Sequence, residues 1–167
     1  MRRSACGPVF RGRAVVPGSA AAPAVVVRAP FDALASFMTS LVSGMDPVVS
    51  SDTGNPEILG ETLTGRVLCI PAAVGSTSAG PTWDLLASRG LGPAAVLCAG
   101  PIDPLTAGGV IIGSLWGGST APVVDRLGGD FLATVHSGML VEVAVDGSVR
   151  LDDADRCPPD GRNHPYG

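Results

Sequence analysis

Lysine is missing altogether from this chain of 167 residues, whose 11 basic side chains are all arginines. That absence excludes lysine Schiff-base chemistry and the lysine of a phosphate-binding P-loop. Histidine is nearly absent too, with only His136 and His164, neither of which has a partner at metal-ligand spacing. Both read as structural or solvent-facing groups. Four cysteines, Cys6, Cys69, Cys98 and Cys157, are scattered without a C-x-x-C pair, and Cys69 and Cys98 sit inside apolar runs. No metal or cluster is therefore expected on this chain itself. Charge is scarce as well: 16% of residues are charged against 46% hydrophobic, with a formal net charge of -4. Such a balance gives no field for nucleic acid, and the apolar excess suggests a face that meets another protein.

No uninterrupted apolar run of the ~20 residues needed for a membrane span exists. Between Gly90 and Val124 the only charge is Asp103, but Pro93, Pro101, Pro104 and Pro122 cut that stretch into pieces. Near the start, Ala14 to Val27 is uncharged, yet Pro17, Gly18 and Pro23 break it. The segment reads as strands about a Pro17-Gly18 turn rather than as a targeting helix. The chain is expected to be cytoplasmic, with no nucleic-acid or membrane partner.

Three adjacent hydroxyls, Ser76, Thr77 and Ser78, follow Gly75 and precede Pro81 and Asp84. An apolar strand-like run, Arg66 to Ile70, comes before them, and Pro81 with Asp84 gives the first-turn signals of a helix ending at Gly90. A strand, a glycine-bounded loop and a helix start favour a nearby anion, through unpaired N–H groups and the helix dipole. A hydroxyl-rich helix cap without a ligand has the same sequence signature.

The length suits one domain with one core over residues 1–151, followed by a disordered polar tail at 152–167. Val9 to Val16 and Ala24 to Arg28 read as opening strands, and Phe31 to Val42 as a short helix. Gly65 to Pro71 and Ala94 to Cys98 read as strands, Leu105 to Ile112 as a helix and Ala121 to Val124 as a strand. Together these predict a partly parallel sheet with right-handed crossovers. Met139 to Val145 reads as a strand with Val141, Val143 and Val145 inward, and Asp146-Gly147 as a two-residue hairpin turn before Ser148 to Leu151.

From about Phe10 to Leu151 the order of motifs resembles the small subunit, or swivel domain, of the aconitase X family. The resemblance is carried by Gly12-Arg13-Ala14-Val15-Val16-Pro17-Gly18, Gly44-Met45-Asp46-Pro47, Gly60-Glu61-Thr62-Leu63-Thr64-Gly65-Arg66-Val67-Leu68, Gly75-Ser76-Thr77-Ser78, Gly90-Leu91-Gly92-Pro93-Ala94-Ala95-Val96 and Ala121-Pro122-Val123-Val124-Asp125. It implies an α/β fold: a swivelling β/β/α domain, aconitase swivel-like, with a mixed sheet and a C-terminal β-hairpin. It also implies a hydro-lyase subunit that dehydrates a small hydroxy acid, similar to cis-3-hydroxy-L-proline or phosphomevalonate. Activity would need a large catalytic subunit, in a heterodimer or higher assembly, carrying an iron or iron–sulfur centre; no cofactor is implied on this chain. By the same resemblance Ser76 is the base, and Gly75, Thr77 and Ser78 bind substrate. The chain differs from the family's pattern at Ala73-Val74 and Ala79-Gly80.

Two other classes fit parts of the pattern: a non-catalytic phosphate- or carboxylate-binding domain, and a carrier-type swivel domain. The carrier reading draws on Gly117-Gly118-Ser119-Thr120, but Ala121-Pro122 follows where a phosphorylated histidine is required. A self-contained serine hydrolase lacks both its histidine and its Gly-x-Ser-x-Gly elbow.

Overall fold

Short apolar runs separated by proline and glycine give short strands, and longer stretches between them coil into helices. The computed structural model describes residues 7–75 and 77–152; Ser76 and the tail from residue 153 onward lie outside the described residues. In chain order the elements are β1 (Val9–Arg11), β2 (Arg13–Val16), β3 (Ala20–Val26), β4 (Phe31–Asp32), α1 (Ala33–Ser43), β5 (Val67–Ile70), β6 (Ala73–Val74) and α2 (Ala79–Ser88). Then come β7 (Ala95–Cys98), α3 (Pro104–Leu115), β8 (Val123–Asp125), α4 (Gly129–Thr134), β9 (Leu140–Val143) and β10 (Ser148–Asp152).

Eight strands form one sheet in the order β1-β10-β9-β3-β5-β7-β8-β2. The central β3, β5, β7 and β8 run parallel. Strands from the two ends of the chain flank them in antiparallel pairs. Every residue of β5 and β7 is buried, as expected for parallel strands covered on both faces. β1 and β2 stand at opposite ends of the strand order yet are separated only by Gly12, so the sheet curls until its ends meet there. Gly12 donates its N–H to the Gly147 carbonyl at 3.1 Å. A Cβ at Gly12 would come within 2.4 Å of the Asp125 carbonyl oxygen, so this closure needs glycine.

The single core expected from length is divided in two by the sheet. Leu68 and Ile70 of β5 face a cluster with Phe31, Phe37, Trp83 and Leu86 under α1 and α2. Val67 and Cys69 face the other side, with Phe131 of α4 and Val141, Val149 and Leu151 of the terminal hairpin. The alternation along one strand splits the core, because successive side chains point to opposite faces. Phe31, Phe37 and Trp83 pack edge to face, with ring centroids of Phe31 and Phe37 5.5 Å apart and those of Phe37 and Trp83 5.3 Å apart. The apolar excess surfaces on α3, where Leu115 and Trp116 at its end are 67% and 79% exposed.

Several boundaries differ from the sequence reading. β3 begins at Ala20 and runs through Pro23, which holds the last register pair with β9 just before pairing with β5 starts at Ala24. Its missing N–H thus falls where the strand changes partners. Helix α2 starts at Ala79, two residues before Pro81, so Pro81 is not at the first helical position and no acidic residue lies in the first turn. Proline is tolerated there because a third-position N–H still has no intrahelical partner. Val145 is exposed, contrary to its expected inward position. Ala144 N–H donates to the Ser148 carbonyl and Gly147 N–H to the Ala144 carbonyl, so the hairpin loop is Val145-Asp146-Gly147, with Gly147 at φ 81°. That is a three-residue loop with a left-handed glycine, not a two-residue turn, and it lifts Val145 out of the strand. Helix α4, six residues long, is too short to announce itself by periodicity.

Candidate functional site

Helices α1, α2 and α3 each follow a strand of the parallel set, so their N-termini gather at its carboxyl edge, the usual ligand-binding edge of open α/β sheets. Two of these three N-termini are capped by their own aspartates. Asp32 Oδ1 accepts from the N–H groups of Leu34 at 2.9 Å and Ala35 at 3.2 Å. Asp103 Oδ1 accepts from Leu105 at 2.9 Å and Thr106 at 3.0 Å. Helix α2 differs: its N-cap residue is Ser78, which gives no side-chain capping bond. The hydroxyl-rich cap that the sequence allowed is thus not formed by Ser78. Its carbonyl instead accepts from the Thr82 N–H at 3.1 Å and the Thr82 hydroxyl at 2.8 Å. The start of α2 thereby presents its positive end to the loop without a carboxylate of its own.

The route of the loop follows from the small two-stranded sheet. β6 pairs in parallel with β4, setting Val74 opposite Asp32, and the chain then enters Gly75. Gly75 has φ +154°, a conformation that favours glycine. A Cβ there would lie 3.3 Å from the Ala79 methyl and 3.8 Å from Asp32 Oδ1. Gly75, Thr77 and Ser78 are all exposed. The sequence-predicted Ser76 lies outside the described residues, between Gly75 and Thr77. Behind the loop, α2 and α3 approach closely: a Cβ at Gly109 would meet the Gly80 carbonyl oxygen at 2.5 Å. Two glycines let the first turn of α2 pack closely against α3.

The far side of the same edge is built around Asp125, which is fully buried. Arg13 clamps it with two bonds, Nε to Oδ1 at 2.9 Å and Nη2 to Oδ2 at 2.7 Å, and the Ile102 N–H donates to Oδ2 at 3.0 Å. Burial pushes this carboxyl up, but the Arg13 and Ile102 hydrogen bonds with the Arg13 and Arg126 charges hold it below the usual carboxylate range. The pair ties β2 to β8 and to the segment that leads into Asp103 and α3. Next along the chain, Arg126 has φ 61°, the one described residue other than glycine with a positive φ.

The described residues do not fit a metal ion. No group of three or more His, Cys, Asp or Glu side chains that could hold one occurs among them. Burial drives the Cys69 thiol up, with Cys98 contributing, and burial followed by the Asp125 and Asp103 charges raises Cys98 to about 12. Both stay protonated at neutral pH and act as small apolar groups. His136 follows α4 and is exposed; His164 lies outside the described residues. A cleft of about 450 Å³ is lined by Val9, Ala20, Glu142 and Arg150 on the antiparallel half and includes no residue of the hydroxyl loop.

Asp32 and Arg126 were not among the sequence-predicted site residues. An aspartate immediately before an apolar helical run is an N-cap signal, and that would have found Asp32. For Arg126 no sequence signal exists, since a left-handed arginine cannot be told from any other arginine.

These features define a swivelling β/β/α domain with an anion-friendly loop between a parallel strand and its helix. The family model for the aconitase X swivel domain matches residues 9–151, and the chain belongs to that family. The chain is 33% identical over 136 residues to the phosphomevalonate dehydratase small subunit of Pyrococcus furiosus, covering 80% of this chain and 87% of that one. It is 32% identical over 115 residues to the protein of the same name from Methanothermobacter thermautotrophicus, covering 67% and 82%. The crystal structure of Thermococcus kodakaraensis aconitase X in its holo-form superposes with a TM-score of 0.69 at 27% identity, covering 88% of this chain and all of that chain.

Proposed function

We propose that this chain is the small subunit of an aconitase X-type hydro-lyase that dehydrates phosphomevalonate or a closely similar small hydroxy acid. The observation that carries the reading is the strand, the hydroxyl loop and an α2 start that the Ser78 side chain does not cap, in a chain matching most of the length of several phosphomevalonate dehydratase small subunits. Ser76 is the base. Its oxygen takes the proton from the carbon beside the substrate carboxylate, the C–H electron pair becomes the new C=C bond, and the C–O bond breaks with its electron pair to release hydroxide, which takes up a proton from solvent to become water. A serine hydroxyl is a base only as its alkoxide, and the positive end of the α2 dipole stabilises that charge. Thr77 and Ser78, exposed on the same loop, hydrogen-bond substrate oxygens, while glycine at 75 keeps the backbone turn that presents them.

The iron or iron–sulfur centre that the aconitase X reading implies is assigned to the larger subunit. This chain alone holds half a site, so a heterodimer or higher assembly is the working enzyme. Co-expression with a larger subunit from the same source, followed by assay for an α,β-unsaturated acid, tests the reading. The complex is expected to turn over phosphomevalonate and each subunit alone to be inactive; turnover by the lone chain contradicts it.

A further inference from the structure

Main-chain hydrogen bonds at the carboxyl edge of the parallel strands line up three residues. The Gly100 N–H donates to the Pro71 carbonyl at 2.9 Å, and the Arg126 N–H donates to the Gly100 carbonyl at 3.0 Å. Pro71 directly follows β5, four residues before Gly75, so Arg126 stands two strand spacings, roughly 10 Å, from the end of the strand that leads through β6 to the hydroxyl loop. Arg126 is exposed, and its guanidinium has no hydrogen bond or ion pair to any described residue.

Its acidic neighbour does not use up its charge. Both oxygens of Asp125 are taken by Arg13, and Oδ2 also by the Ile102 N–H. The other described arginine at this edge, Arg28, donates to the Leu132 and Val135 carbonyls. Arg66, just before β5, stands at the opposite edge. The backbone points the same way. A left-handed conformation is unfavourable for a bulky side chain and easy for glycine or asparagine, so an arginine held there keeps its side chain at a conformational cost.

We infer that Arg126 is the cationic contact for an anionic oxygen group of the substrate, carboxylate or phosphate, at the carboxyl edge of the sheet. This rests on the dehydratase reading of the hydroxyl loop and adds the group that holds the substrate's charge. A guanidinium suits the task, because its forked donors match the paired oxygens of either anion.

The test uses the assembled two-subunit enzyme with Arg126→Asn, which tolerates the left-handed backbone and removes the charge, and Arg126→Lys, which keeps it. Inorganic phosphate and mevalonate, the latter offering a carboxylate alone, are titrated calorimetrically into each complex, alongside steady-state kinetics. Arg126→Asn is expected to weaken binding of at least one probe and raise KM by about 10- to 100-fold, the scale of a lost charged hydrogen bond. The probe affected identifies the group held. Arg126→Lys should recover most of the affinity, with subunit affinity and melting temperature unchanged in both variants. Equal probe affinities and KM in Arg126→Asn and wild type overturn the inference, as does binding of neither probe to the wild-type complex. A fall in subunit affinity with KM unchanged makes Arg126 a partner contact instead. Should the wild-type complex dehydrate no hydroxy acid, the dehydratase reading fails, while the titrations still decide Arg126.

Discussion

Ser76 carries the chemistry proposed for this chain, and its neighbours supply the setting. Removal of its hydroxyl by Ser76→Ala is expected to lower kcat of the assembled enzyme by about 10²- to 10⁴-fold, the usual contribution of a positioned base, with subunit affinity unchanged. Single-turnover kinetics and a pull-down check the two halves of that statement. Asp125 makes a different prediction. Its folded-state pKa is depressed, so the stability it contributes is present above its unfolded value, near 4, and is lost as pH falls through the lower folded value. Thermal melts from pH 7 to pH 2 should show a loss at the acid end that is smaller in Asp125→Asn. That variant should also be about 1–3 kcal/mol less stable at neutral pH, because the Ile102 N–H and Arg13 lose a charged acceptor. At this scale the sequence was a partial guide: the hydroxyl run stood out, but Arg126 owes its interest to a backbone angle and a hydrogen-bond row that no residue type encodes.

Among the elements, those with strong local signals were legible. The apolar runs at Val67 to Ile70 and Ala95 to Cys98 read as strands and are fully buried. Asp103 with Pro104 marked the start of α3, and both residues stand where capping geometry requires. Elements set by tertiary contact were not legible. Pro81 suggested a helix beginning at its own position, yet α2 starts at Ala79, where Gly80 packs on Gly109 of α3. Asp146-Gly147 suggested the tighter turn, whereas the loop also takes in Val145. The helix contact gives a test: Gly109→Ala forces α2 and α3 apart, since its Cβ would fall 2.5 Å from the Gly80 carbonyl oxygen. A loss of about 1–3 kcal/mol in stability by denaturant titration is expected, together with a lower kcat in the assembled enzyme as the hydroxyl loop shifts.

For the whole molecule, the curl of the sheet is the feature most sensitive to one residue. It brings the first and last strands together at Gly12, behind the Asp125 clamp. Gly12→Ala should therefore destabilise the chain by about 1–3 kcal/mol, read as a lowered melting temperature. The sequence foresaw a mixed sheet with a C-terminal hairpin because the strands and their order are local signals. It did not foresee two apolar clusters, since which side of the sheet a helix covers depends on the crossovers rather than on composition. The same scale holds the functional claim proposed above, that the hydroxyl loop is half of an active site completed by a larger subunit. The most direct measurement is dehydration of phosphomevalonate by the reconstituted two-subunit enzyme, comparing wild type, Ser76→Ala and each subunit alone. Turnover confined to the wild-type complex, with Ser76→Ala assembled but nearly inactive, is the predicted result; full activity of the assembled Ser76→Ala enzyme, or turnover by the lone chain, contradicts it.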